Sequence, residues 1–200
     1  MEKNELQSIK WLRILIYIAI VSIVNTLLSY LPLIPWNITN LISLAIVAVM
    51  VISLLRLGTV NRRYRKAAIF RCGFLTCLVV TSYLTTSTII SLAASVLSIL
   101  AVYQEYAAHA ELIGEHDGSL SGKWHSLFIW SIAASVLISV TSMATVLLIL
   151  FVDMADGTAA FISGVVIALL NLIQCIINVV YITYLNRMIQ YFDKARTVIP

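Results

Sequence analysis

The sequence predicts an all-α, polytopic transmembrane helix bundle with six spans and both termini cytoplasmic. Three observations carry that reading. Of the 200 residues, 61% are hydrophobic and only 11% are charged, against about 25% charged in an ordinary soluble domain. The charges are also gathered into a few places: none falls between Arg13 and Arg56, Arg71 and Glu105, Lys123 and Asp153, or Asp156 and Arg187. Finally, the apolar runs are unbroken, without the alternation of a membrane β-barrel strand. Crossing about 30 Å of hydrocarbon takes roughly 20 mostly apolar residues, so each uncharged gap holds at least one crossing. Backbone groups inside lipid must pair within their own segment, which makes the crossings helices.

Taken in order, span 1 covers roughly residues 11–31, and the short segment before it reads as a retained flank rather than a cleaved signal. Pro32, Pro35, Trp36 and Asn37 then form an uncharged loop, since proline breaks a helix. Span 2 covers roughly 38–57. A basic connector follows, with Arg62, Arg63, Arg65 and Lys66, and Arg71 sits just inside the next apolar run. The stretch from Ala67 to Gln104 would make a single helix of roughly 55 Å, far longer than the hydrocarbon is thick. Two shorter spans, roughly 67–84 and 87–106, fit if Arg71 snorkels to the headgroups. The hydroxyls of Thr81, Ser82, Thr85, Thr86, Ser87, Thr88 and Ser91 can satisfy a turn between them. Glu105 to Lys123 reads as a polar connector with turn signals at Asp117-Gly118 and Ser121-Gly122. Span 5 covers roughly 124–152, the tip Asp153 to Gly157 is short and acidic, and span 6 covers roughly 158–185 ahead of a basic tail.

Charge bias selects the number of spans. Cytoplasmic flanks are enriched in Lys and Arg. With six spans and the N-terminus inside, all 13 Lys and Arg fall on the cytoplasmic side. With five spans, Lys123, Arg187, Lys194 and Arg196 move outside. Trp11, Trp36, Trp124 and Trp130 then lie near span ends, as an interfacial belt does.

The polar residues within the spans form two strips. Asn171, Gln174, Asn178 and Tyr181 recur at steps of three and four, which places them on one face of span 6. Ser22, Asn25 and Ser29 form a similar strip on span 1. Carboxamides facing lipid cost several kcal/mol each, so both strips are expected to point into the bundle, as interhelical hydrogen bonds or as a polar path. In the connector, Glu105 and His109 are four apart and His116 lies seven further on. Imidazole and carboxylate are reasonable metal ligands, but no fixed motif matches, and a solvated helix extension is the preferred reading. Ser131, Ser135 and Ser139 recur every four residues, a spacing that lets helices approach closely in lipid. The echo between Ser91-Leu-Ala-Ala-Ser-Val-Leu97 and Ser131-Ile-Ala-Ala-Ser-Val-Leu137 reads as convergent use of small residues.

Several functions are disfavoured. Cys72, Cys77 and Cys175 lie in apolar segments without ligand spacing and read as small hydrophobes. Gly118-Ser-Leu-Ser-Gly122-Lys123 is one spacer short of a phosphate loop, and Trp124 stands where Ser or Thr should coordinate magnesium. No catalytic residue, cofactor site or metal site is assigned, and an enzyme is not expected. The basic connector Arg62, Arg63, Arg65 and Lys66 suits anionic lipid headgroups at roughly 1 kcal/mol per charge; it is too short and too close to the bilayer for nucleic acid. The expected role is a non-catalytic, multi-pass membrane protein (of the cell membrane if the source is prokaryotic) that acts as a membrane subunit, partner-binding protein or homo-oligomer. The alternative is a transporter component for a neutral or hydrophobic small solute. In length and span count the chain resembles the substrate-binding membrane components of energy-coupling-factor vitamin importers, an architectural likeness with no shared motif.

Overall fold

The computed structural model describes residues 2–29, 35–83, 88–114, 116–151 and 158–198. Six helices fill them: α1 Glu2–Leu28, α2 Trp36–Leu57, α3 Arg62–Tyr83, α4 Thr88–Gly114, α5 Gly118–Phe151 and α6 Thr158–Val198. No strand occurs among the described residues. Each helix packs on the next in the chain, and α6 closes back onto α1, so the bundle is a ring of sequence neighbours.

Four helices among the described residues are long and apolar enough to cross a membrane: Ser8–Leu28, Asn37–Leu57, Ile89–Gly114 and Gly164–Lys194. Arg62, Arg63, Arg65, Lys66 and Arg71 keep α3 more polar than these. Large apolar side chains face outward around the ring, among them Tyr17, Leu41, Ile69, Leu92, Trp130 and Ile176, each more than half exposed. Such a surface is poorly matched to water and well matched to lipid tails.

Local chemistry sets the helix ends. The Gly58 N–H donates to the Leu54 carbonyl at 2.8 Å. A Cβ on Gly58 would lie 3.0 Å from both the Arg65 Cβ and the Leu55 carbonyl oxygen, so the tight α2–α3 turn needs glycine there. Asn61 caps α3, its Oδ1 accepting the Arg63 N–H at 2.8 Å. Asp117 caps α5 by accepting the Leu120 N–H at 3.0 Å.

The stretch from 67 to 104 therefore forms parts of two helices packed side by side. The expected hydroxyl turn at Thr85–Ser87, the proline loop around Pro32 and the acidic tip lie largely outside the described residues. Two expectations for the 105–123 connector change. The turn signal at Asp117-Gly118 falls where α5 begins, whereas Ser121-Gly122 lies within α5. Glu105 and His109 are not on a solvated extension, because both are fully buried. The core is densest at the end of the bundle that carries both termini, where Leu12, Leu15, Leu54, Leu57, Tyr64, Ile113, Trp124, Leu185 and Met188 are essentially inaccessible.

Candidate functional site: a buried ion pair in an aromatic shell

Antiparallel packing of α3 on α4 pairs rising with falling residue numbers. Arg63 meets Glu111, Tyr64 meets His109, and Arg71 meets Glu105. On α3, Tyr64 and Arg71 are seven residues apart, two turns along one face. Glu105 and His109 are one turn apart on the facing side of α4. The pairing therefore follows from two simple spacings once the helices form a hairpin.

The Glu105 carboxylate is the centre of the arrangement and is fully buried. Its Oε2 accepts a hydrogen bond from Arg71 Nη2 at 3.1 Å. Its Oε1 accepts one from the Tyr181 hydroxyl of α6 at 2.6 Å. Only 14% of the Arg71 side chain is exposed, so this arginine does not snorkel outward as its position near a span end suggested. Arg71 lies five residues beyond Lys66, and Tyr181 six before Arg187. The pair thus sits roughly 7–9 Å inside the rim of surface charges.

One turn nearer the termini, the Tyr64 hydroxyl lies 2.7 Å from His109 Nδ1. Burial, and behind it the negative charge of Glu105, push the Tyr64 hydroxyl up well above its ordinary value, so this phenol keeps its proton and is assigned as the donor to Nδ1. A neutral imidazole with Nδ1 as acceptor carries its hydrogen on Nε2. That nitrogen faces Glu105 Oε1 at 4.0 Å, beyond hydrogen-bond reach. Trp124 of α5 stacks on His109 at 4.5 Å between ring centroids, and Tyr106 stacks on Tyr181 at 5.6 Å. Trp124 is completely buried in this shell, not at an interfacial belt. The rings hold bulk water away from the charges, which strengthens their attraction and raises the cost of leaving either unpaired. Among the described residues, Arg71 Nε, His109 Nε2 and Trp124 Nε1 have no hydrogen-bond partner.

Of the expected strips, Asn25 is buried, and its Nδ2 donates to Ser43 Oγ at 2.9 Å and to the Thr39 carbonyl at 3.3 Å. These bonds tie α1 to α2, not to the strip on α6. Ser22 supplies its carbonyl to the Thr26 hydroxyl, and Ser29 is exposed and bonds back to the Thr26 carbonyl. On α6, Asn171, Gln174 and Asn178 are half-buried and Tyr181 is buried. Asn171 lines a groove of about 340 Å³ with Thr26, Leu27 and Cys175. A second groove, about 280 Å³, runs between the echoed serine segments of α4 and α5, lined by Ser95, Ser98, Ser131 and Ser135. In the basic connector, Arg63 is taken up by Glu111, which also accepts from Asn61, while Arg62, Arg65 and Lys66 stay exposed.

Reading the sequence alone finds Tyr181 and the Glu105–His109 spacing but misses the cluster. The available signal was a lone arginine just inside one apolar run and a lone glutamate at the end of the next. In a helical hairpin those two positions come level. No protein-family model, curated protein or solved structure matches this chain.

Proposed function

We propose that the chain is an integral membrane protein of six spans, both termini cytoplasmic, that serves as a non-catalytic membrane subunit binding a protein partner. The observation that carries this reading is the outward apolar surface combined with an interior whose charges answer one another. Arg71, Glu105 and Tyr181 join three helices through bonds that end within the chain. That arrangement suits a lock within the bundle, and the lipid-facing helices are left to meet a partner or a second copy. One-sided placement of Lys and Arg supports the orientation. Exposed Arg62, Arg65 and Lys66 would lie on the cytoplasmic rim and suit anionic lipid headgroups.

The serine groove between α4 and α5 favours a second reading, a transporter component for a neutral or hydrophobic small solute. Its serine hydroxyls and apolar walls suit a weakly polar guest. Purification in mild detergent distinguishes the two. A stoichiometric membrane-protein partner supports the subunit reading, whereas a bound small molecule or an associated ATPase supports transport and defeats it. Reporter fusions after Thr86 and after Asp117 test the topology. An outward report from the Asp117 fusion overturns the six-span arrangement.

A further inference from the structure

We propose that Glu105 is a proton-binding site, loaded from the terminus-bearing end of the bundle through Tyr64 and His109, and that its protonation unlatches Arg71. The inference concerns the interior of the bundle and stands apart from the choice between partner binding and transport. It begins with three groups in a line. Tyr64 is nearest the terminus-bearing end, completely buried but next in sequence to the part-exposed Arg63 that pairs with Glu111. His109 is next, bonded to Tyr64 at 2.7 Å. Glu105 is innermost, its Oε1 4.0 Å from a buried His109 Nε2 that has no other partner. Ionisable groups at membrane depth are expensive and mark proton or ion pathways more often than packing. A glue role accounts for Arg71, Glu105 and Tyr181 and for His109 as the partner of Tyr64; it leaves unused the second imidazole nitrogen, which is aimed at the carboxylate.

The transfer balances without a further reagent. His109 Nε2–H gives its proton to Glu105 Oε1 while Nδ1 takes the Tyr64 hydroxyl proton. Tyr64, itself enclosed, regains one from water admitted when this end of the bundle opens locally. The result is a neutral carboxylic acid, an imidazole of the opposite tautomer and one proton taken up. Direct transfer requires the 4.0 Å separation to close by about 1 Å, to hydrogen-bond length. The other groups around Glu105 set the outcome. Arg71 of α3 and the Tyr181 hydroxyl of α6 both donate hydrogen bonds to it. Tyr106 of α4 packs beside Tyr181, and Trp124 contributes a non-titrating wall from α5. Once Glu105 is neutral, Arg71 loses its partner. Its long side chain, already near the rim, can then reach the headgroups, which removes one of the bonds joining α3 to α4 while Tyr64–His109 and Arg63–Glu111 remain.

Infrared difference spectroscopy on the full chain in detergent tests the proposal, with a step from about pH 7 to about pH 3, which spans the ordinary carboxyl range. The expected result is a protonated-carboxyl C=O band that disappears in Glu105→Gln. In Tyr64→Phe and His109→Phe the band should keep its amplitude but rise more slowly, on the order of tenfold or more. Should Glu105→Gln fail to fold because Arg71 is left unpaired, the paired variant Arg71→Gln with Glu105→Gln replaces it. A wild-type spectrum without that band, or a band that persists in the variant, shows an inert ion pair and overturns the proposal. Unchanged kinetics in both the Tyr64 and the His109 variants overturn the loading route.

Discussion

The two ends of the bundle are held by different chemistry. At the terminus-bearing end, large side chains interlock: Leu12, Leu54, Tyr64, Trp124 and Met188 are completely enclosed, and a buried ion pair bridges α3 and α4 with a phenol from α6. Toward the other end, the buried side chains among the described residues are mostly small or polar, such as Asn25, Thr39 and Ala94, and Ile89 and Leu92 face outward at 80% and 66% exposure. Lipid tails are as apolar as leucine, so burial of hydrocarbon supplies little drive for helices to associate in a bilayer. Order at one end therefore depends on close packing and matched polar groups. Where those are sparse, helices are joined by isolated polar contacts such as those of Asn25 with Ser43 and Thr39.

That contrast can be broken most severely at Glu105. Glu105→Leu removes one member of a buried pair and strands Arg71, so stability should fall by about 3–5 kcal/mol. Adding Arg71→Leu should recover much of that, because two apolar groups of similar volume leave no orphaned charge. Thermal unfolding of the single and double variants in detergent measures both. A double variant no better than the single one shows that the pair is not the source of order at this end.

At the looser end, the expected effects are smaller. Asn25→Leu breaks the α1–α2 bonds and should cost roughly 0.5–2 kcal/mol, the range of interhelical polar contacts in membranes. Asn178→Leu, at a half-buried position on α6, should fall at or below the lower end of that range. A loss for Asn178 exceeding that for Asn25 would shift the polar centre of the bundle to α6. The smallest effect belongs to Arg63→Ala. Its pair with Glu111 is about a third to a half exposed, so the same unfolding assay should show a change of about 0.2–1 kcal/mol that added salt reduces.

Element types were legible in the sequence because lipid enforces them: charge-free runs of sufficient length have few alternatives to helix. The break between α3 and α4 was legible from length together with the cluster of hydroxyls. The site was less so. Glu105 and His109 invite a metal or solvent reading when seen on their own helix, and Arg71 invites a snorkelling one. Only the apposition of α3 and α4 converts three separate oddities into one cluster. Trp124 was misplaced for a related reason. A tryptophan near a span end is at home in the headgroup region, and nothing local distinguishes that setting from the inside of a bundle. For Asn25, the sequence indicated an inward-facing amide but gave no means of choosing α2 over α6 as its partner.

The level placement of Arg71 and Glu105 also bears on how the chain enters a membrane. On the six-span reading, a charged residue in a helix handed over singly costs up to about 2.5–3.5 kcal/mol at the helix centre and less near a span end, where Arg71 lies. On that reading Arg71 would reach the membrane before Glu105 has been synthesised, which makes α3 alone a poor candidate for early release into lipid. If α3 waits for α4, the two charges enter neutralised, as a finished hairpin. The 34 residues that separate Arg71 from Glu105 then set how long nascent α3 must linger beside the insertion machinery before lipid becomes a tolerable solvent for it.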